Sequence, residues 1–169
     1  MTVTQEPRTR TYSWSDPLAT AAGLGRVPGI EMLAAMVRGE LPPPPIMQTI
    51  EMAGFEVIEE GRVAFTMRAQ EFHYNPIGSV HGGVIATLLD SATGCAVHST
   101  LPAGWGYTSL DLTTKYLRPV TVDSGLLRCE GTVINRGRTT ALGEARLFDE
   151  RGRLAAYASS SCLLFELPT

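Results

Sequence analysis

An α+β fold, with one antiparallel sheet packed on a single long helix, is predicted by three features of this sequence. Strand-like stretches stand on both sides of one long helical stretch, without the regular strand–helix alternation of parallel βαβ winding. The helical stretch is apolar around most of its circumference, as in a helix enclosed by a sheet. The stretches after it run on consecutively, with a hairpin-type turn signal between the last two at Asp149 to Gly152.

The elements follow in order. Residues 1–27 are polar and irregular, and are expected to fray or to lie over a surface. From Pro28 onward, Ile30, Leu33, Ala34, Val37 and Leu41 recur at helical spacing, with Gly39 near the end. Pro42 to Pro45 are expected to stop any helix and to impose an extended polyproline stretch. That stretch reads as a stiff spacer, with a recognition ligand for a partner domain as the alternative. Residues 1–45 are therefore taken as an N-terminal extension and 46–169 as the main domain. Within the latter, 55–60 and 63–68 read as two strands around Gly61-Arg62. A loop from His73 to Gly78 leads to a helix from His81-Gly82 to about Thr100. Strands are expected at 107–117, 125–134, 140–148 and 154–165.

Composition narrows the function. A chain of 169 residues suits one core-bearing domain. With 44% apolar and 18% charged residues, it is ordinary for a globular protein. A net charge of −3 offers no electrostatic reason to bind nucleic acid or an anionic membrane. Cys95, Cys129 and Cys162 are odd in number and lie in apolar runs, which suits buried thiols in a reducing compartment. The first residues carry charge without an apolar core, and no run of about 18 apolar residues could span a bilayer. A cytoplasmic protein is expected.

The central helix carries the sharpest chemical signal. Val84, Ile85, Leu88, Leu89, Ala92, Cys95, Ala96 and Val97 wrap it in apolar surface, and between Glu71 and Asp111 the only formally charged residue is Asp90. A lone carboxylate on a buried helix is costly unless it is paired, protonated or facing a wet site. A bond to backbone or to a buried water is one reading, and a catalytic carboxylate is the other. Gly82 and Gly83 stand at the helix start, where free N–H groups and the helix dipole favour an anion, as an oxyanion hole requires. A glycine pair that only eases a tight turn is the alternative. Asp90 follows Gly82 by eight residues, so the two lie roughly 12 Å apart along one helix at about 1.5 Å per residue. They cannot both reach one carbonyl. If both act, Asp90 must work with the Gly82 of a second subunit, and a two-fold dimer would have two equivalent sites.

At these residues the chain resembles a known family. Asn75-Pro76-Ile77-Gly78-Ser79-Val80-His81-Gly82-Gly83-Val84, followed by Leu88-Leu89-Asp90-Ser91-Ala92, is similar to the signature of hotdog-fold acyl-CoA thioesterases of the phenylacetate-pathway (PaaI-like) type. The resemblance spans about residues 46–165 and includes Lys115-Tyr116-Leu117-Arg118-Pro119 and Gly137-Arg138. It implies an antiparallel sheet wrapped around one long central helix, and hydrolysis of an acyl-CoA or aryl-acyl-CoA thioester to free acid and CoA. By implication Asp90 attacks the thioester or activates water, the Gly82 amide holds the thioester oxygen, and Asn75 positions the reacting group. A hydroxyl on the strand facing the site is implied at Ser109, after one extra residue, or at Thr108. Homo-oligomers, dimeric or tetrameric, are also implied, with no cofactor besides the CoA of the substrate.

Other residues admit two readings each. His81 reads as a general base or as a bond to the loop carrying Asn75, and with Gly83 it is placed at the substrate. His73 and His98 lack metal-ligand spacing with Cys or acids, so no metal site is expected. Gly23-Leu24-Gly25 with Gly29 has neither the spacing nor the preceding strand of a dinucleotide loop, and no G-x-S-x-G is present. Lys115, Arg118, Arg128, Arg136, Arg138, Arg146, Arg151 and Arg153 outnumber the acids Asp123, Glu130, Glu144, Asp149 and Glu150 between 112 and 153. The turn Arg136-Gly137-Arg138 is the expected contact for CoA phosphates, since guanidinium forks suit phosphate; a solvated turn is the alternative. Two other classes stay open: a non-catalytic acyl-CoA-binding protein, which would not need the buried carboxylate, and a hydratase or dehydratase, which would want a His paired with the helix acid.

Overall fold

A computed structural model describes residues 6–168. Three short helices come first: α1 (Pro17–Ala21), α2 (Gly29–Val37) and α3 (Pro45–Thr49). Strands β1 (Met52–Glu59) and β2 (Arg62–Arg68) precede the long helix α4 (Gly82–Ser99). Then follow β3 (Trp105–Ser109), β4 (Thr113–Tyr116), β5 (Leu126–Arg136), β6 (Thr140–Phe148) and β7 (Leu154–Glu166). Every strand pair is antiparallel, in the order β1-β2-β5-β6-β7-β3, with β4 also paired to β7. The expected α+β architecture is present, one sheet around one central helix.

The helix sits in the sheet because both surfaces are shaped for it. Ile85, Leu88, Leu89, Ala92, Ala96 and Val97 are buried, and opposite them lie Val63, Phe65, Met67, Leu127, Cys129, Ala145 and Leu147. Small residues mark the closest approaches. A Cβ at Gly131 of β5 would overlap the Ala92 carbonyl of α4, and one at Gly29 of α2 would overlap the His98 carbonyl near the helix end. The buried Cys129 thiol donates to the Leu88 carbonyl at 3.6 Å, a sulfur contact between the same two elements.

Three expectations change in detail. The stretch 107–117 is two strands rather than one. Ser109 pairs with Cys162 and Thr113 with Ser159, so three residues of the first strand face two of β7. This is the one-residue excess of a bulge, held by Asp111, whose carboxylate accepts from the Ser161 N–H at 3.1 Å and whose carbonyl accepts from the Ser160 hydroxyl at 2.7 Å. Pro45 does not end a helix but opens α3, with Pro44 as its cap. Proline suits that first position, where its missing N–H would be unpaired anyway. Within 6–27, a short helix α1 stands where irregular chain was expected, capped by the Asp16 carboxylate accepting from the Leu18 N–H at 2.9 Å.

The N-terminal segment is packed into the same core as the strands. Leu33 is 3% exposed and belongs to the cluster that also holds Leu88 and Phe65. Farther out, the Arg10 guanidinium donates to the Thr49 carbonyl at 2.8 Å and to that of Gln48, and it lies over the rings of Tyr12 and Phe72. Among the described residues no helix is long and apolar enough to cross a membrane.

Buried histidines are part of this packing. The His73 ring accepts from the Gln70 N–H at 3.1 Å and lies 3.0 Å from the Ile50 carbonyl, partners that suit the neutral tautomer with its proton on Nε2. Burial holds His73 and His98 below the usual histidine range. No group of His, Cys, Asp or Glu among the described residues is placed to hold a metal.

The contact at Gly131 is open to direct test. Gly131→Ala forces its methyl into the Ala92 carbonyl, and overpacking of this kind costs about 1–3 kcal/mol. The variant should therefore melt several degrees below the parent in a thermal scan. An unchanged melting temperature would mean that α4 does not rest on β5 there.

Candidate active site

Asp90 lies two turns into α4, half-buried, with its side chain facing β3. The Ser109 hydroxyl donates to Asp90 Oδ1 at 3.1 Å, and no bond to Oδ2 is recorded among the described residues. Thr108 points to the other face of the strand and reaches no such partner, as alternation of side chains requires. The bulge at residues 110–112 closes the β3 segment just after Ser109.

The carboxylate stands between two spaces. Outward is an open groove bordered by Thr87, Leu110 and Leu112. Inward is a cavity of about 210 Å³, walled by Phe55, Phe65 and Tyr107 on the sheet side and by Met36 and Met47 on the side of α2 and α3. Cys95 lines this cavity as a possible rival nucleophile. Burial, and secondarily the charge of Asp90, push its thiol up to about 12. It therefore stays a thiol at neutral pH and is a poor nucleophile. Burial likewise raises the Tyr107 phenol well above its usual range, so that group remains neutral.

The start of α4 forms a second, separate groove. Asn75, Ser79, Gly82, Tyr116 and Arg118 border it. His81 caps the helix, its Nδ1 accepting from the Gly83 N–H at 2.9 Å. The Gly83 amide is thus taken within the chain, and no intrachain partner for the Gly82 N–H is recorded among the described residues. The Gly82 carbonyl accepts from the Tyr116 hydroxyl at 2.9 Å, and a Cβ at Gly82 would stand 3.1 Å from the tyrosine ring. Asn75 folds its loop: Oδ1 accepts from the N–H groups of Ile77 at 3.1 Å and Ser79 at 3.2 Å, and Nδ2 donates to the Ser79 hydroxyl at 3.2 Å. One Nδ2 hydrogen remains for a ligand.

The chain therefore brings Asp90 to Ser109, and Asn75 to Gly82, but keeps the two pairs apart along α4. Arg136 and Arg138 are exposed in the β5–β6 turn and border neither space. Of the local basic excess, Arg128, Arg146 and Arg153 are engaged with Glu56 and Glu130, Glu144, and Asp149. Tyr116 has a place at the site for which the sequence supplied a motif but no role. Met36 and Met47 were also missed as wall residues; the helical spacing of Ile30, Leu33 and Val37 signalled a buried face, not what it covers.

Comparison with known proteins places the fold. Residues 77–156 match the family model described as the thioesterase superfamily. Human acyl-coenzyme A thioesterase 13 is 31% identical over 97 residues, which is 57% of this chain and 68% of that protein. A relative from Halobacterium salinarum is 41% identical over 69 residues, and the chain spans 44% of its length. The solved structure of a phenylacetic acid degradation-related protein from Ralstonia eutropha superposes with a TM-score of 0.70 at 30% identity, covering 78% of this chain and 98% of that one.

Ser109→Ala removes a hydrogen bond to a carboxylate, an interaction of about 1.5–3 kcal/mol. If Asp90 acts chemically, turnover should fall about tenfold or more, and Ser109→Thr should recover most of it. Full activity in the alanine variant would show that the hydroxyl does not position the carboxylate.

Proposed function

This chain belongs to the thioesterase superfamily, and we propose that it hydrolyses acyl-CoA thioesters at sites completed by two copies of the chain. The observation that carries this reading is the division of the machinery along α4. Asp90 with Ser109 lies two turns in, while the Gly82 amide lies at the helix start, roughly 12 Å away at about 1.5 Å per residue. An antiparallel second helix brings the Gly82 of one copy opposite the Asp90 of the other.

In that site the thioester oxygen accepts from the Gly82 N–H, at a helix start whose dipole favours developing negative charge. Asn75 orients the reacting group from the same groove. The free Oδ2 of Asp90 either attacks the carbonyl carbon or takes a proton from an attacking water. In the first route the C–S bond breaks, CoA leaves as thiolate and is protonated, and water then cleaves the mixed anhydride. In the second, water adds directly and its proton passes by way of Asp90 to the leaving sulfur. Ser109 holds Oδ1 in both. His81 supports the reaction as the cap that shapes the helix start. Arg138, together with Arg136, is assigned to the CoA phosphates, as guanidinium forks suit that geometry. The oligomer is a dimer or a tetramer of such dimers.

Two experiments test the reading. Thiol release from a panel of acyl-CoA esters should reveal turnover, and Asp90→Asn should keep its fold while losing at least about two orders of magnitude in rate. A folded variant that keeps half the parent rate would remove Asp90 from the chemistry. Separately, mixing inactive Asp90→Asn and Asn75→Ala subunits should restore activity, because a hybrid dimer holds one intact site. No recovery despite demonstrated subunit exchange would refute a shared site.

A further inference from the structure

The cavity behind Asp90 has two sides of different origin. Phe55, Phe65 and Tyr107 come from the sheet. Leu33 and Met36 come from α2, and Ile46 and Met47 from α3, all ahead of the first strand and outside the matched residues 77–156. Asp90 and Ser109 stand on the same cavity as the N-terminal wall.

We infer that α2 and α3 form the end wall of the acyl site, and that Met36 sets the length of acyl group accepted. This rests on the thioesterase reading of Asp90. A carbonyl held at Asp90 has its chain on one side and its sulfur on the other, and the apolar cavity, the more enclosed of the two spaces, is the side that suits the chain. An apolar cavity of about 150 Å³ takes a benzene ring. The space of about 210 Å³ therefore fits roughly a ring with two further carbons, or a straight acyl group of about eight carbons. Its named walls are uncharged apart from Asp90, so a chain ending in a second carboxylate would be buried without a partner and excluded.

Physical differences single out Met36 among the wall residues. Leu33 is 3% exposed and tied into the main core, so altering it endangers the fold. Met36 is half-buried at the cavity, and its unbranched thioether adapts to what lies against it. The other half of the wall is braced from outside. Arg10 bonds the carbonyls of Gln48 and Thr49 at the end of α3, next to Met47. The extension is in this way a built part of the substrate site.

The test measures chain length twice, by turnover and by binding. Turnover of butanoyl-, octanoyl- and dodecanoyl-CoA is compared for the parent, Met36→Ala and Met36→Trp, with melting temperatures checking the fold. Affinities for the same esters are measured on Asp90→Asn with and without each Met36 change. Opening the wall should shift preference from octanoyl toward dodecanoyl about tenfold or more, the scale at which hydrophobic pockets discriminate methylenes. Met36→Trp should lose octanoyl while keeping butanoyl. Identical chain-length profiles in folded variants would overturn the assignment of the wall. Shifted affinities without turnover by the parent would refute hydrolysis and leave the wall in place.

Discussion

Helix α4 lies as close to the sheet as it does because β5 carries no side chain at Gly131, where a Cβ would meet the Ala92 carbonyl. Around that contact the helix buries Leu88, Leu89 and Ala92 completely. The contact fixes both the depth of the helix and its rotation. With Leu88 and Ala92 against the sheet, Asp90 is turned toward β3 and the α2–α3 side. Both the Ser109 bond and the cavity depend on that rotation.

The depth of the helix has an electrostatic consequence. A carboxylate deep in the core would be protonated or expelled, and one on the open surface would be fully hydrated. Asp90 lies between those limits, holding one hydroxyl and facing both an open groove and an apolar cavity. Cys95, one turn farther along the same wall, shows what the enclosed side does to a group that has no partner: its thiol is raised to about 12. The cavity thus favours neutral groups, as the proposed acyl site requires.

The length of α4 links the proposed chemistry to assembly. A rigid helix cannot bend Asp90 back to its own N-terminus, so the proposed roles of Gly82 and Asp90 at one carbonyl require two subunits. Tyr116 adds rigidity at the other groove by bonding the Gly82 carbonyl and filling the space beside its α-carbon. The Gly82 amide is therefore held in place by the chain itself, and in the proposed dimer the second subunit has only to bring a carboxylate to it.

The sequence by itself determined the fold class, the limits of α4, the isolation of Asp90 and the separation from Gly82 that argues for a shared site. These follow from local periodicity and from the rise of a helix, which need no tertiary information. It left Ser109 and Thr108 undecided, because the choice turns on which face of β3 meets Asp90, and that is set by the pairing of β3 with β7, some fifty residues farther along the chain. It read Pro42 to Pro45 as spacer, whereas Pro45 begins a helix that walls the cavity. Tertiary structure alone decided that α2 and α3 fold over Asp90, since the spacing of Leu33 and Val37 marks a buried face but cannot say which surface buries it.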